Sequence, residues 1–564
     1  MNSINIKIGG LQGEGVDKTG IILSKFLTRL GFSTFGYREY RSLIKGGHTT
    51  YQIHASPEPV YSQLKKVDLL IALDKNTVSW HQDELDKRSL IIYDPNDFQI
   101  NPKKLVGDYL ALPLLEITKN AGGIPLMANM TAAGVICACL DLPLSSLNEQ
   151  IGHIFSEKGE VVINANHMVA KAGYEFFNLH FTYKKRAFPL KNKKVKQVVL
   201  FGNEAISAGA VAGGMKFFSA YPMTPSSSIL HYLAAYAKEM KLVVKHSEDE
   251  IGAVNMAVGA SFAGVRAMTA TSGGGFCLMT ESLGLAGISE IPLVIIESQR
   301  PGPALGMPTW TAQGDLLFVI NASQDEFPRI VLAPGSPEQA FALTALSLQL
   351  AEEYQMPVVV LVDKYISESI ATCPEFEKIY KHKRYSLENN PGKNFLRYKV
   401  NSNGISPRTL PGQKNGSYAC NSYEHSSNSF GTEMASDRVE QMDKRAAKMK
   451  ALVQIIPAQL EAGDKEAKNG ILCWGSTLGP AMEAIKTKKN IKLMHLSWLW
   501  PFPTKQVNRF LKSCDRVLLV EGNSEAQLGK LIKQELKLEI QDKLLKYDGK
   551  PFYPEEILAR VKEF

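Results

Sequence analysis

Three short stretches between residues 201 and 306 carry side chains able to hold an anion and move a proton. The first is Tyr221-Pro222-Met223-Thr224-Pro225-Ser226-Ser227. Each proline fixes its own φ and restricts the residue before it, so Thr224 carries its hydroxyl on a stiffened turn. Ser226, Ser227 and Ser228 read as the cap and first turn of a helix starting near Ile229, whose free N–H groups suit a carboxylate. The second stretch opens at Glu250 and continues through the small residues Gly252, Ala253, Ala257, Gly259 and Ala260. An acid heading a helix that can pack this closely reads as a partly buried carboxylate of the kind used in proton transfer. Glu248, two residues earlier, is its rival. The third is Ser298-Gln299-Arg300-Pro301-Gly302-Pro303, where the planar fork of Arg300 ends a strand and suits a carboxylate. Composition alone slightly favours an ordinary proline-containing loop for the first stretch. It also allows surface acids before a helix for the second and a surface arginine for the third.

Each stretch follows a short apolar run, as ligand-binding loops do at the carboxyl ends of strands in an open parallel sheet. Apolar runs at 198–201, 241–244, 266–269, 293–297 and 358–362 predict strands, and 337–354 predicts a helix. Residues 196–373 are therefore expected as one doubly wound domain. Residues 1–183 form a unit before it: a strand at 4–8, the run Gly9-Gly10-Leu11-Gln12-Gly13-Glu14-Gly15, a helix over 17–30, buried parallel strands at 67–73 and 90–93, and a close-packed helix over 129–140. Gly13 and Gly15 in that run, and Lys45-Gly46-Gly47-His48 in a second loop, could approach a phosphate closely. The spacing is not G-x-G-x-x-G, and tight packing would explain the glycines equally. His48 reads either as a ligand or as a satisfied histidine. Residues 374–468 break the alternation: NSNGISPRTLPGQKNG is an irregular segment, and a charged helix follows it. Residues 469–564 resume α/β logic, with strands from Gly470, at 493–499 and at 516–521.

The chain has 564 residues, enough for three or four domains. Its charge of +8 is mild for that length, and much of it sits in YKKRAFPLKNKKVK, a solvated linker. Base-reading modules and interleaved aromatics are absent, so nucleic acid is not the expected partner. The seven cysteines are dispersed, without iron–sulfur or zinc spacing. Such usage suggests reduced thiols in the cytoplasm. No run of about 18 apolar residues exists, so no membrane span is expected.

The motifs YPMTPSS, EDEIGAVNMAVGAS, TATSGGGFCLMTESLG and QRPGPALGMPT, in this order, resemble the pyrimidine domain of 2-oxoacid:ferredoxin oxidoreductase α subunits. The segment Ser42-Leu43-Ile44-Lys45-Gly46-Gly47-His48 resembles the γ domain of the same family, fused here at the N-terminus. The SPR-x-LPG and SYEH segments resemble its connecting arm, with Glu424 and His425 as interface residues. Gln527-Leu528 resembles its C-terminal region. The chain departs from the usual pattern at Lys45 (Arg), Gly274 (Pro) and Ala526 (Gly). The resemblance implies an α/β protein of three doubly wound domains, a γ-type, a thiamine-diphosphate pyrimidine-type and a transketolase C-terminal-like domain, joined by an irregular arm.

It further implies coenzyme A-dependent oxidative decarboxylation of a 2-oxoacid, with electrons passed to ferredoxin. The fused arrangement favours 2-oxoglutarate or a broad 2-oxoacid range. Pyruvate, branched-chain and indolepyruvate enzymes of the same family are the alternatives, as is a non-catalytic assembly subunit. Thiamine diphosphate would supply a nucleophilic ylid and an electron sink. The resemblance implies that Glu250 activates the aminopyrimidine, that Thr224 and Arg300 bind the substrate, and that Tyr221, Pro222, Ser272, Gly273, Gly275 and Phe276 line the cofactor. Gly13, Gly15, Lys45, Gly46 and Gly47 are then candidates for coenzyme A or for an interface. The chain lacks a G-D-G diphosphate motif, so a β subunit is expected to bring the diphosphate site, Mg²⁺ and a [4Fe–4S] cluster, as an αβ heterodimer or (αβ)₂.

Overall fold

The structure, a computed structural model, describes residues 3–43, 46–101, 106–188, 197–376, 383–486 and 488–563. The chain is α/β and divides into two compact units. The first comprises Met1–Leu200, Glu368–Glu375 and Tyr553–Glu556. The second comprises Phe201–Ser367, Phe376–Phe552 and Ile557–Phe564.

The first unit holds an eight-stranded mixed sheet. The strand Ile4–Leu11 pairs in parallel with Leu69–Ala72 and antiparallel with His48–Ser56, which in turn pairs antiparallel with Ser33–Glu39. The expected buried strands Leu69–Ala72 and Leu90–Tyr93 do pair in parallel, flanked in parallel by Ile4–Leu11 and Asp108–Ala111, while Ile4–Leu11, His48–Ser56 and Ser33–Glu39 pair antiparallel. The physical reason lies in the connection: residues 40–47 are too few for a helical crossover, so the strands they join run antiparallel. The first strand also continues through Gly9 and Gly10, which places the turn later, at residues 12–15. Gln197–Phe201, expected in the next domain, is an edge strand of this first sheet beside Ile370–Pro374. Its five residues are only half-buried, as suits an edge.

The second unit holds a seven-stranded sheet and a five-stranded sheet. The larger runs in the order 498–500, 330–332, 357–363, 293–299, 266–271, 215–220, 243–246, and all its neighbours are parallel except the first pair. Leu293–Gln299 and Pro357–Asp363 are buried at every position, because helices cover both faces of a central parallel strand. Met215–Ala220 and Ile330–Leu332 are strands that the apolar runs did not reveal.

The arm is ordered by buried ions. Glu290 is fully buried and meets Lys444 and Lys448, equally buried on the helix Ala435–Ile455, at 2.5 Å each. Burial raises the Glu290 pKa, but Lys448, Lys444 and Arg397 outweigh it and hold the carboxyl far below its usual range. Glu352 gathers Arg266, Arg384 and Arg408 in the same way. Glu424 binds Arg438 and Arg445. His425 is fully buried and stacks on Tyr398 with ring centroids 4.2 Å apart. Within this chain, then, the two residues expected at an interface hold the arm together.

Removing one partner of a buried ion pair leaves the other charge uncompensated. Glu290→Gln should therefore lower stability by about 3–5 kcal/mol, read as a shift of the denaturant midpoint. A loss below about 1 kcal/mol, the scale of an exposed pair, would show that Glu290 does not anchor the arm.

Candidate active site

Four strand ends of the seven-stranded sheet converge because the strands are parallel. The turn Tyr221–Pro225 follows Met215–Ala220, and Ser247–Glu250 follows Val243–His246. Ser272 follows Arg266–Thr271, and Arg300 follows Leu293–Gln299. Ala220 lies opposite His246, and Thr271 opposite Glu297.

Glu250 is the first residue of the helix Glu250–Phe262, and Asp249 caps it by accepting from the Gly252 N–H at 2.7 Å. Asp249 was legible as a cap, since an acid pair before small residues is a helix-start signal. Glu250 is 4% exposed, and its Oε1 has no hydrogen-bond partner among the described residues. Glu248 is exposed and accepts from the Ser247 hydroxyl at 3.1 Å. Of the two acids, only Glu250 is turned inward.

Facing it is the first turn of the glycine helix, Gly273–Ile288. A Cβ on Gly275 would lie 2.6 Å from Glu250 Oε1 and 2.1 Å from Thr271 Oγ1. A Cβ on Gly273 would lie 2.5 Å from Asp315 Oδ2. Two carboxyl groups thus press on this turn from different elements, which is why these positions are glycine. Ser272 is fully buried, and its hydroxyl has no partner among the described residues. Phe276 points into the core against Phe318, edge to face at 5.4 Å. Its ring therefore packs the core, which leaves its backbone as the part of Phe276 that can face a cofactor.

Arg300 is 8% exposed and donates from Nη1 to the Thr224 carbonyl at 2.7 Å. The two expected substrate residues are thereby brought together, through the backbone of Thr224. The rest of the Arg300 fork and the Thr224 hydroxyl have no protein hydrogen bond among the described residues. Burial pushes the Arg300 pKa below its ordinary value. Tyr221 is exposed and Pro222 half-buried beside them. The helix after this turn runs Ser227–Ala235, and Ser226 donates its hydroxyl back to Met223 O, not to the helix end.

In the first unit the two glycine loops meet: the Gln12 N–H donates to Gly47 O at 2.7 Å. Gly13, Gly15 and Gly46 have φ of 96°, 84° and 85°, the left-handed region that glycine adopts freely. A Cβ at Gly15 would also strike Asn129 Nδ2 at 2.3 Å. Lys45 lies outside the described residues. His48 is tied to His81, Nε2 to Nε2, at 3.2 Å.

Known proteins give this geometry its context. Profiles described as "Pyruvate ferredoxin/flavodoxin oxidoreductase", "Pyruvate flavodoxin/ferredoxin oxidoreductase, thiamine diP-bdg" and "Pyruvate:ferredoxin oxidoreductase core domain II" match residues 5–176, 208–445 and 467–557. The 2-oxoacid:ferredoxin oxidoreductase subunit alpha of a Sulfolobus species is 31% identical over 98% of this chain and 95% of its own. The chain belongs to this family of thiamine-diphosphate 2-oxoacid:ferredoxin oxidoreductases, as an α subunit with a fused γ domain. Family members are oxidoreductases with ferredoxin as acceptor. The 2-oxoglutarate oxidoreductase subunit KorA of Mycobacterium tuberculosis is 25% identical over 99% of this chain and 91% of its own. A solved structure of the Magnetococcus marinus 2-oxoglutarate:ferredoxin oxidoreductase, "with 2-oxoglutarate, coenzyme A and succinyl-CoA bound", superposes with a TM-score of 0.94 at 29% identity, covering 100% of this chain and 99% of that one. Among the described residues, no single helix is long and apolar enough to cross a membrane.

The crowding at the glycine turn is directly testable. Gly275→Ala should cost about 1–3 kcal/mol, the price of overpacking. Gly274→Ala, whose Cβ would meet only Ala304 O at 3.5 Å, should be neutral or stabilise by about 0.5 kcal/mol. Denaturant midpoints of the two variants check the contrast, and equal effects would mean the turn is free to move.

Proposed function

We propose that this chain is the γ–α subunit of an enzyme that oxidatively decarboxylates 2-oxoglutarate with coenzyme A. Its pyrimidine-activating acid would be Glu250, and its substrate head-group residues Arg300 and Thr224. The observation that carries this reading is the buried Glu250 oxygen, without a hydrogen-bond partner among the described residues, facing a turn in which Gly273 and Gly275 leave no room for a Cβ. A buried carboxyl oxygen is costly to leave bare, so the position fits a ligand with a matching ring nitrogen. That ligand is thiamine diphosphate, which supplies a nucleophile and an electron sink when bound.

Glu250 would hold a proton at Oε1 for exchange with the aminopyrimidine. Arg300 would bind the carboxylate common to all 2-oxoacids through the fork atoms that Thr224 leaves free. Thr224 would donate its hydroxyl to the same head group, and the backbone of Ser272–Gly275 would form the wall beside the ring. Tyr221 and Pro222 would close the opposite side. The likeness to the Magnetococcus marinus enzyme over the whole chain supports 2-oxoglutarate. A β subunit carrying the diphosphate site, Mg²⁺ and a [4Fe–4S] cluster completes the proposal, with αβ or (αβ)₂ assembly in the cytoplasm. The paired glycine loops of the first unit are assigned to coenzyme A or to an interface.

Co-purification with the β partner, followed by coenzyme A-dependent dye reduction with a panel of 2-oxoacids, tests the substrate. A clear preference for pyruvate would overturn 2-oxoglutarate. Glu250→Gln should slow exchange of the cofactor's thiazolium C2 proton in the assembled enzyme by about 10²–10⁴-fold, and near-normal exchange would remove Glu250 from the role.

Arg300→Ala should lower kcat/KM by one to two decades, from loss of about 1.5–3 kcal/mol in a charge-assisted hydrogen bond. Arg300→Lys should recover little, because an ammonium lacks the bidentate fork. Both changes should weaken 2-oxoglutarate and pyruvate alike. A shift in preference between them would show that Arg300 reads the distal carboxylate instead.

A further inference from the structure

Beneath the glycine turn lies a second pair of acids that the proposed chemistry does not use. Glu297 stands on the strand Leu293–Gln299, beside Thr271 in register, and is fully buried. Neither of its carboxyl oxygens has a hydrogen-bond donor among the described residues. Its side chain is within hydrogen-bond reach of Asp315, just before the short helix Leu316–Asn321. Asp315 is held in turn at two points. Its N–H donates to Gln299 Oε1 at 3.0 Å, and its Oδ2 abuts the position a Gly273 Cβ would occupy. The other ionisable groups that bear on Glu297 are Asp363, on the neighbouring strand, and Cys277, on the glycine helix; both disfavour its charge. Asp363 has its own donors in Ser476, Thr311 and the Ile366 and Tyr365 N–H groups.

Two carboxylates are acceptors only, so contact between them requires a proton. We propose that Glu297 and Asp315 hold a single proton between them, and that this pair positions the first turn of the glycine helix against Glu250. The chain of contacts runs Glu297, Asp315, Gly273, Gly275, Glu250. Asp315 presses one end of the turn and Glu250 the other, so a fixed Asp315 fixes the surface on which Glu250 rests. With one proton the pair is a hydrogen bond; with none it is two buried like charges, which drive the turn apart.

The electrostatics agree with this occupancy. Burial, and then Asp315, push the Glu297 pKa well above its usual value. Burial raises Asp315 to about 6, the hydrogen bond from Glu297 opposing it. Both effects place the shared proton on Glu297 in preference to Asp315. The pair titrates as a unit, so the two assignments describe one shared proton.

The protonation claim stands on the chain alone, while the positioning claim rests on the role proposed for Glu250. The test therefore has two separate readouts. Infrared difference spectra of the full chain, wild type minus Glu297→Gln at neutral pH, should show loss of one carboxylic-acid C=O stretch. Loss of carboxylate stretches instead would mean that Glu297 is ionised and would overturn the proposal. In the assembled enzyme with thiamine diphosphate, Asp315→Ala should slow C2-proton exchange by about 10²-fold, the scale of a small misplacement. Wild-type exchange should fall at alkaline pH as the shared proton leaves. Glu297→Gln keeps a neutral group of similar shape and cannot ionise, so it should remove that alkaline limb. An unchanged limb in Glu297→Gln, or normal exchange in Asp315→Ala, refutes the positioning role. Failure of Glu250→Gln to slow exchange would sink the proposed function and leave the infrared result standing.

Discussion

A turn of three glycines pressed between two carboxyl groups is the constraint on which this site depends. Glu250 heads one helix and Asp315 precedes another, yet each approaches within a distance that a single methyl group would block. Close approach of this kind is possible only where the backbone carries no Cβ. It also places buried acids next to the free N–H groups of a sixteen-residue helix, where negative charge is favoured. The glycines therefore determine the approach of the acids as well as the path of the chain.

What holds the site in place lies partly outside it. The arm lacks regular structure over most of its length, but it is threaded by arginines and lysines that end on Glu290, Glu352 and Glu424. The glutamates at their ends are largely buried, so removing one partner is costly even where the net contribution of a pair is small. They make one conformation of an otherwise permissive, glycine- and proline-rich segment far better than the rest. Glu290 also terminates the segment that follows the glycine helix, with a φ of 51°, so the arm is anchored directly to the element that carries the critical turn.

Much of the architecture was legible. The long apolar runs became the buried central strands, and the helix over 337–354 appears as Pro337–Tyr354. Glu250 at the head of a small-residue helix was readable because acids are rare on surfaces that pack so closely. Other features were not. Ser33–Glu39 and His48–Ser56 are rich in Thr, Tyr, His and Gln, and their polar groups are satisfied inside the first sheet. Gln52, for example, donates to Leu64 O. Hydrophobic patterning misses a strand whose buried side chains are polar. Glu297 left a trace, an acid at the end of the run LVIIES, but only the neighbouring Asp315 gives that acid a meaning.

The sequence by itself determined the α/β class, the order of the motifs and the residue types able to do chemistry, because these follow from periodicity, from backbone restriction and from side-chain inventory. Tertiary structure decided which of them meet. Arg300 and Thr224 are 76 residues apart and are joined by one hydrogen bond. Glu250 turns inward while Glu248 turns out, and the ring of Phe276 packs in the core. These outcomes depend on the parallel register that aligns four strand ends on one edge, and on the burial that this alignment imposes. No local stretch of residues carries that information, since it arises only when distant strands share hydrogen bonds.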